Sequence, residues 1–217
     1  MMKYDAILFD LDGTLTDSKP GILRSVQYAL EKSGMKEFDL EKLVSFIGPP
    51  LTDSFQELYG MNATEAAQAV VYYQEYFSEK GMYENAVYPG IADLLAELSV
   101  QGKYLAVATS KPSVFSEKII EHFSLTPYFN KVVGAKMEGV HSDKEHLIGN
   151  ILADIPHIPL DKVVMIGDRK FDIQGGQAHG IDVIAAGYGY GRRPELEDAG
   201  PTHIAESVAD LRSLLLG

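Results

Sequence analysis

The chain has 217 residues and a net charge of −12, with 31 Asp and Glu against 19 Lys and Arg. Hydrophobic residues make up 46%, enough for a core without cross-links, and the absence of Cys excludes disulfides, thiolate metal sites and a cysteine nucleophile. A globally acidic surface argues against nucleic-acid or anionic-membrane binding, so an anionic ligand would need a local positive site.

The first strand-length apolar run is Ala6–Phe9. No strand is expected between 16 and 84. Instead, apolar stripes at helical spacing comprise Ile22, Val26, Ala29 and Leu30, then Leu40, Leu43, Val44 and Ile47, then Ala66, Val70, Tyr73 and Phe77. Gly34, Gly48-Pro49-Pro50, Gly60 and Gly81 punctuate them. Further on, helical stripes (Ile91 to Leu98, Phe115 to Phe123, Leu147 to Leu152) are interleaved with short apolar runs at Tyr104–Ala108, Lys131–Gly134, Val163–Ile166 and Val183–Ala186. These runs are mostly continuous rather than alternating, as in parallel strands covered on both faces. The pattern predicts an α/β fold: a doubly wound parallel sheet with a small all-helical domain inserted after the first strand. The predicted boundaries are 1–15 with 85–217 for the core and 16–84 for the insert, expected over the carboxyl ends of the strands. No apolar run approaches a membrane span, and Met1-Met2-Lys3-Tyr4-Asp5 does not read as a signal peptide, so a cytoplasmic location is expected.

Three strands end in polar residues. Phe9-Asp10-Leu11-Asp12-Gly13-Thr14 carries two acids two residues apart before a Gly turn. Ile166-Gly167-Asp168-Arg169-Lys170-Phe171-Asp172 ends in Gly-Asp with a further Asp four positions on. Val107-Ala108-Thr109-Ser110-Lys111-Pro112 ends in hydroxyls before a helix. Singly, each also reads as ordinary turn or helix-cap chemistry. Together they gather four carboxylates at one sheet edge, which would repel one another without a hard cation such as Mg²⁺. Hydroxyls, backbone N–H groups and a lysine beside that ion would make a phosphate site.

Asp10-Leu11-Asp12-Gly13-Thr14-Leu15 resembles the first motif of the haloacid dehalogenase superfamily of phosphotransferases. Thr109 resembles its second-motif hydroxyl, and Asp168 and Asp172 its fourth motif; the helical insert is similar to its cap of the first type. For the third-motif lysine the candidate is Lys144, with Lys111 and Lys136 as competitors; Glu145 and His146 follow where prolines are common in the family. The resemblance implies that Asp10 attacks phosphorus to form an aspartyl-phosphate and that Asp12 protonates the departing oxygen, then activates water. It implies Mg²⁺ on Asp10, the carbonyl of Asp12 and Asp168, with Asp172 engaging the ion directly or through water. It also implies phosphoryl contacts from Gly13, Thr14, Thr109, Ser110 and Lys144, with Pro49 and Arg169 as further substrate-site candidates.

An acid at Asp12 favours a phosphatase or phosphomutase over a dehalogenase, and Gly167-Asp168 favours the phosphatase over sugar phosphomutases. The tail Gly187-Tyr188-Gly189-Tyr190-Gly191 is similar to phosphoglycolate-phosphatase-like members and, with Arg169, to a branch of 5′-nucleotidases. The expected partner is a small phosphorylated metabolite, with no nucleic acid and no membrane; the oligomeric state is not legible. A sugar phosphomutase is the enzyme alternative, and a non-catalytic phosphate-binding module the alternative of another class. Gly187-x-Gly-x-Gly lacks a following helix, so it does not read as a dinucleotide loop. The dispersed His residues do not suggest zinc.

Overall fold

The computed structural model describes residues 3–136 and 143–217. Among these residues, no helix is long and apolar enough to cross a membrane. The chain divides into two compact units, one of residues 1–17 and 87–217 and the other Ser18–Ala86. Each end of the insert thus falls slightly later than the 16–84 predicted from sequence.

The first unit is built on a six-stranded sheet. Its strands are β1 (Ala6–Phe9), β4 (Tyr104–Pro112), β5 (Lys131–Ala135), β6 (Val163–Gly167), β7 (Asp182–Ala186) and β8 (His203–Ala205), in the order β5-β4-β1-β6-β7-β8. All neighbours are parallel. The five predicted strands are present and β8 is additional. Two short strands, β2 (Thr16–Asp17) and β3 (Ala86–Val87), pair separately, so the region predicted to lack strands does contain β2.

β1 lies between β4 and β6, with Phe9 opposite Val107 on one side and Ile166 on the other. Parallel pairing therefore brings the carboxyl ends of β1, β4 and β6 to one edge of the sheet. The unit's helices are α5 (Ile91–Val100), α6 (Ser113–His122), α7 (Lys144–Leu152), α8 (Lys170–Ala178), α9 (Arg193–Ala199) and α10 (Val208–Leu216). Ala6 and Leu8 share a buried cluster with Ala106, Met165 and Ile148, while Ile7 and Phe9 are buried as well. Apolar side chains are thus buried at every position of β1, and each Leu or Ile contributes about 1.5–3 kcal/mol by leaving water. That burial fixes the strand that carries the first acidic motif.

The second unit is helical, with α1 (Lys19–Lys32), α2 (Leu40–Val44), α3 (Leu51–Tyr59) and α4 (Ala63–Glu79). The helix pairs α1 and α4, and α3 and α4, pack against each other. Ile22, Val26, Ala29 and Leu30 are buried along α1, as their spacing predicts. On α4, Ala66, Ala69, Tyr73 and Phe77 are buried, whereas the predicted Val70 is half-buried. The Leu40 stripe is shorter than predicted: α2 stops at Val44, and Leu40 is exposed. Asn62 begins α4 with a reciprocal cap, accepting from the backbone of Thr64 and Glu65 while its own N–H donates to the Glu65 carboxylate. Pro49 lies in the bend before α3, half-buried within this unit.

Candidate active site

Three carboxylates meet at the carboxyl edge of the central strands. Asp10 follows β1, Asp168 follows β6, and Asp172 stands in the first turn of α8. Carboxylate oxygens of Asp10, Asp168 and Asp172 lie within 4.8 Å of one another, and all three residues are buried.

Lys144, the first residue of α7, reaches into this group. Its Nζ is 2.8 Å from Asp10 Oδ1 and 2.6 Å from Asp172 Oδ1, and it donates to the Ala108 carbonyl at 2.8 Å. The lysine is itself only 5% exposed, so its charge is compensated by these acids rather than by water. Burial pulls the ammonium pKa down, but Asp10 and Asp172 outweigh it and hold it above its ordinary value. One cation does not balance three buried anions. Burial, together with Asp172 and Asp12, pushes Asp10 up to about 6 against the opposing pull of Lys144. Asp168 is raised well above the usual carboxylate range by burial, then by Asp172 and Asp10. A surplus of close, buried oxygen ligands fits a hard divalent cation, which would neutralise it.

The backbone aims these groups. Asp10 Oδ1 also accepts from the Leu11 N–H at 2.7 Å, so both of these contacts fall on one oxygen. Gly13 has φ +80°, a left-handed conformation, and a Cβ there would overlap the Asp168 carboxylate. Asp172 Oδ2 accepts from the Arg169 N–H at 3.1 Å, and Asp168 Oδ2 from the Tyr190 N–H at 2.7 Å. Gly189 passes so close to Asp168 that a Cβ would overlap it. The glycine-tyrosine loop after β7 therefore seats Asp168. It also reaches the first motif, because the Tyr188 hydroxyl donates to the Thr14 carbonyl and the Tyr190 hydroxyl to Asp17 Oδ1.

Thr109 is buried in β4 just before the strand's register shift, and its Oγ1 accepts from the Lys111 N–H at 3.2 Å. Ser110 beside it is partly exposed. The Thr14 hydroxyl is buried and has no hydrogen-bond partner among the described residues. Asp12 takes no part in the carboxylate trio; its Oδ2 pairs with Lys111 Nζ at 2.8 Å. Of the three lysine candidates, Lys144 joins the trio, Lys111 joins Asp12, and Lys136 is exposed. Arg169 directs its Nε to Glu195 at 2.9 Å. Sequence reasoning did not find the Tyr190 N–H, since a backbone donor leaves no signature in residue type, although the run of alternate glycines marked the loop.

The model of the haloacid dehalogenase-like hydrolase family matches residues 7–186. A 5′-nucleotidase of Pseudomonas aeruginosa is 44% identical over 214 residues, covering 99% of this chain and 96% of that protein. The tyrosine-protein kinase PtkA of Mycobacterium tuberculosis is 35% identical, over 96% of this chain and 72% of its own length. The crystal structure of a predicted phosphatase from Clostridium acetobutylicum has a TM-score of 0.92 at 45% identity, covering 98% of each chain. On this likeness and this fold, the chain belongs to the haloacid dehalogenase-like hydrolases, as one of their phosphatases.

Proposed function

We propose that the protein hydrolyses small phosphomonoesters through a phosphoaspartate on Asp10, with Mg²⁺ as its cofactor. The carrying observation is the buried trio of Asp10, Asp168 and Asp172 around Lys144. The carboxylates of that trio and the main-chain carbonyl of Asp12 would hold the ion. When bound, Mg²⁺ supplies charge neutralisation for the phosphoryl group and for the crowded acids.

Lys144 and Leu11 engage Oδ1 of Asp10, which leaves Oδ2 to attack phosphorus. Asp12 gives its proton to the ester oxygen as the P–O bond breaks. It then takes a proton from the water that attacks the phosphoaspartate, and Asp10 is released unchanged. Thr109 already accepts from Lys111, so its own hydrogen is available to a phosphoryl oxygen. The Ser110 N–H, Thr14 and Lys144 would complete the cradle.

Nucleoside 5′-monophosphates head the substrate class, by likeness to the Pseudomonas 5′-nucleotidase, with phosphoglycolate as the smaller member. Arg169 and Pro49 are proposed substrate contacts, and the helical unit is proposed as the cap that governs leaving-group access. The test is phosphate release from a panel of phosphomonoesters, with Mg²⁺ or with EDTA. Mg²⁺-dependent release supports the reading. Activity undiminished by EDTA would remove the metal. Net phosphoryl transfer to a sugar or tyrosine hydroxyl, outpacing release to water, would replace hydrolysis with transferase chemistry.

A further inference from the structure

The ion pair between Asp12 and Lys111 is built by a specific irregularity in β4. The pairing of β4 with β5 runs regularly to Thr109 opposite Gly134, then shifts so that Pro112 stands opposite Ala135. Such bulges bend a strand and re-aim the side chains they carry. Ser110 and Lys111 are the residues inside this one. Gly134 makes room for it: a Cβ there would stand 2.6 Å from the Lys111 carbonyl oxygen and 2.7 Å from the Ser113 nitrogen. The Lys111 N–H is anchored on Thr109 Oγ1. From that anchor the side chain runs inward, only 6% exposed, to meet Asp12 Oδ2 at 2.8 Å. The other oxygen, Asp12 Oδ1, is buried and has no hydrogen-bond partner among the described residues.

We infer that Lys111 is a positioning residue: it pins Oδ2 of Asp12 and thereby makes Oδ1 the atom that carries the proton. The inference rests on the acid–base role proposed for Asp12. In the first half-reaction the Oδ1–H bond breaks as its proton passes to the ester oxygen, which leaves phosphorus with the P–O bonding pair. In the second, Oδ1 accepts a proton from water while the water oxygen bonds to phosphorus and Asp10 departs with its electron pair. A carboxylate free to rotate would divide its time between orientations, and misplacement of a reacting atom costs rate steeply. The bulge also ties this carboxylate's partner to Thr109, so the proton donor and one phosphoryl contact are positioned by the same turn of chain.

The test exploits the leaving group. p-Nitrophenolate departs without a proton, whereas the alkoxide of a nucleoside 5′-monophosphate does not. Lys111→Met keeps the length of the side chain and removes its charge. It should lower kcat/KM for the nucleotide by about 100-fold, the scale of general acid catalysis, and that for p-nitrophenyl phosphate by less than about 5-fold. Lys111→Arg should restore part of the nucleotide rate, and Asp12→Asn should show the same substrate contrast at least as strongly. If Lys111→Met does not fold, the same contrast is read from Lys111→Gln against Lys111→Arg. Equal loss on both esters, or no loss, beside an intact contrast in Asp12→Asn, would overturn the role of Lys111 alone. Loss of the contrast in Asp12→Asn itself would overturn the acid–base assignment and this inference with it.

Discussion

Two lysines serve the acids of this site, and they serve them in different proportions. Lys144 faces Asp10 and Asp172 with Asp168 close by, one positive charge among three buried carboxylates. Lys111 pairs with Asp12. The first region carries surplus negative charge that bound protons or a further cation would relieve. The second sets one acid against one lysine. Residues of the same two types thus support the different tasks proposed for them: the trio for holding a metal and a nucleophile, the pair for moving a proton.

The largest expected effect comes from removing the proposed nucleophile. Asp10→Asn is nearly isosteric and takes one anion out of the crowded trio, so the fold should persist. Phosphate release should fall by at least about 1000-fold, because the amide cannot form the phosphoaspartate. Near-wild-type turnover in the folded variant would sink the covalent mechanism.

Next is the counter-charge itself. Lys144→Met removes the ammonium that pairs with Asp10 and Asp172, and breaking a buried ion pair costs about 3–5 kcal/mol. Urea titration should show a loss on that scale, partly recovered by Mg²⁺. A loss below about 1 kcal/mol would mean that the trio is not charged as described.

The charge surplus can also be read through pH. Asp10 titrates at about 6 rather than the ordinary 3.8, so across that window the metal-free folded chain binds more protons than the unfolded one. Its contribution to stability is therefore present at low pH and is lost as pH rises through the window. The raised pKa of Asp168 extends that loss upward. Mg²⁺ should cancel it, so the rise in Tm on adding Mg²⁺ should be small near pH 4 and grow through about pH 6. A rise independent of pH would separate metal binding from these acids.

A smaller effect is expected at the loop that seats Asp168. In Gly189→Ala the new methyl group would meet Asp168 and the Gly13 carbonyl. Relief requires the loop to move and weakens the Tyr190 N–H contact, with an expected cost of about 1–3 kcal/mol. Mg²⁺ affinity, measured by titration calorimetry, should fall about 10-fold, as for other changes behind a metal ligand. Unchanged affinity would make the loop a spectator.

How much of this was legible in the sequence depends on what carries each feature. β1, β4, β5, β6 and β7 announce themselves because buried parallel strands need continuous apolar runs. β8 is His203-Ile204-Ala205, an edge strand with one exposed polar end, and its length gives no such signal. β2 and β3 each have two residues and are defined by their pairing. In the site, Asp10, Asp168 and Asp172 were legible together rather than singly: each alone also reads as turn or cap chemistry, but acids gathered at the ends of two strands of one sheet, in the spacing of a family motif, do not. The partnership of Lys111 with Asp12 depends on the bulge opposite Gly134, a three-dimensional accommodation that residue spacing does not encode. Arg169 read as a substrate-site candidate because Gly167-Asp168-Arg169 resembles the 5′-nucleotidase branch; its Nε pairs with Glu195, a partner distant in sequence that spacing does not show.

The central claim is that Asp10 bonds covalently to the phosphoryl group, and the most direct measurement is to look for that bond. Enzyme mixed with a phosphomonoester and Mg²⁺ would be quenched in acid within one turnover and its peptides weighed. The account predicts a gain of one phosphoryl group on the peptide carrying Asp10, absent when Asp10 is replaced by Asn. A phosphoryl group found on another residue, or a folded Asp10→Asn enzyme that still turns over at the wild-type rate, would contradict it.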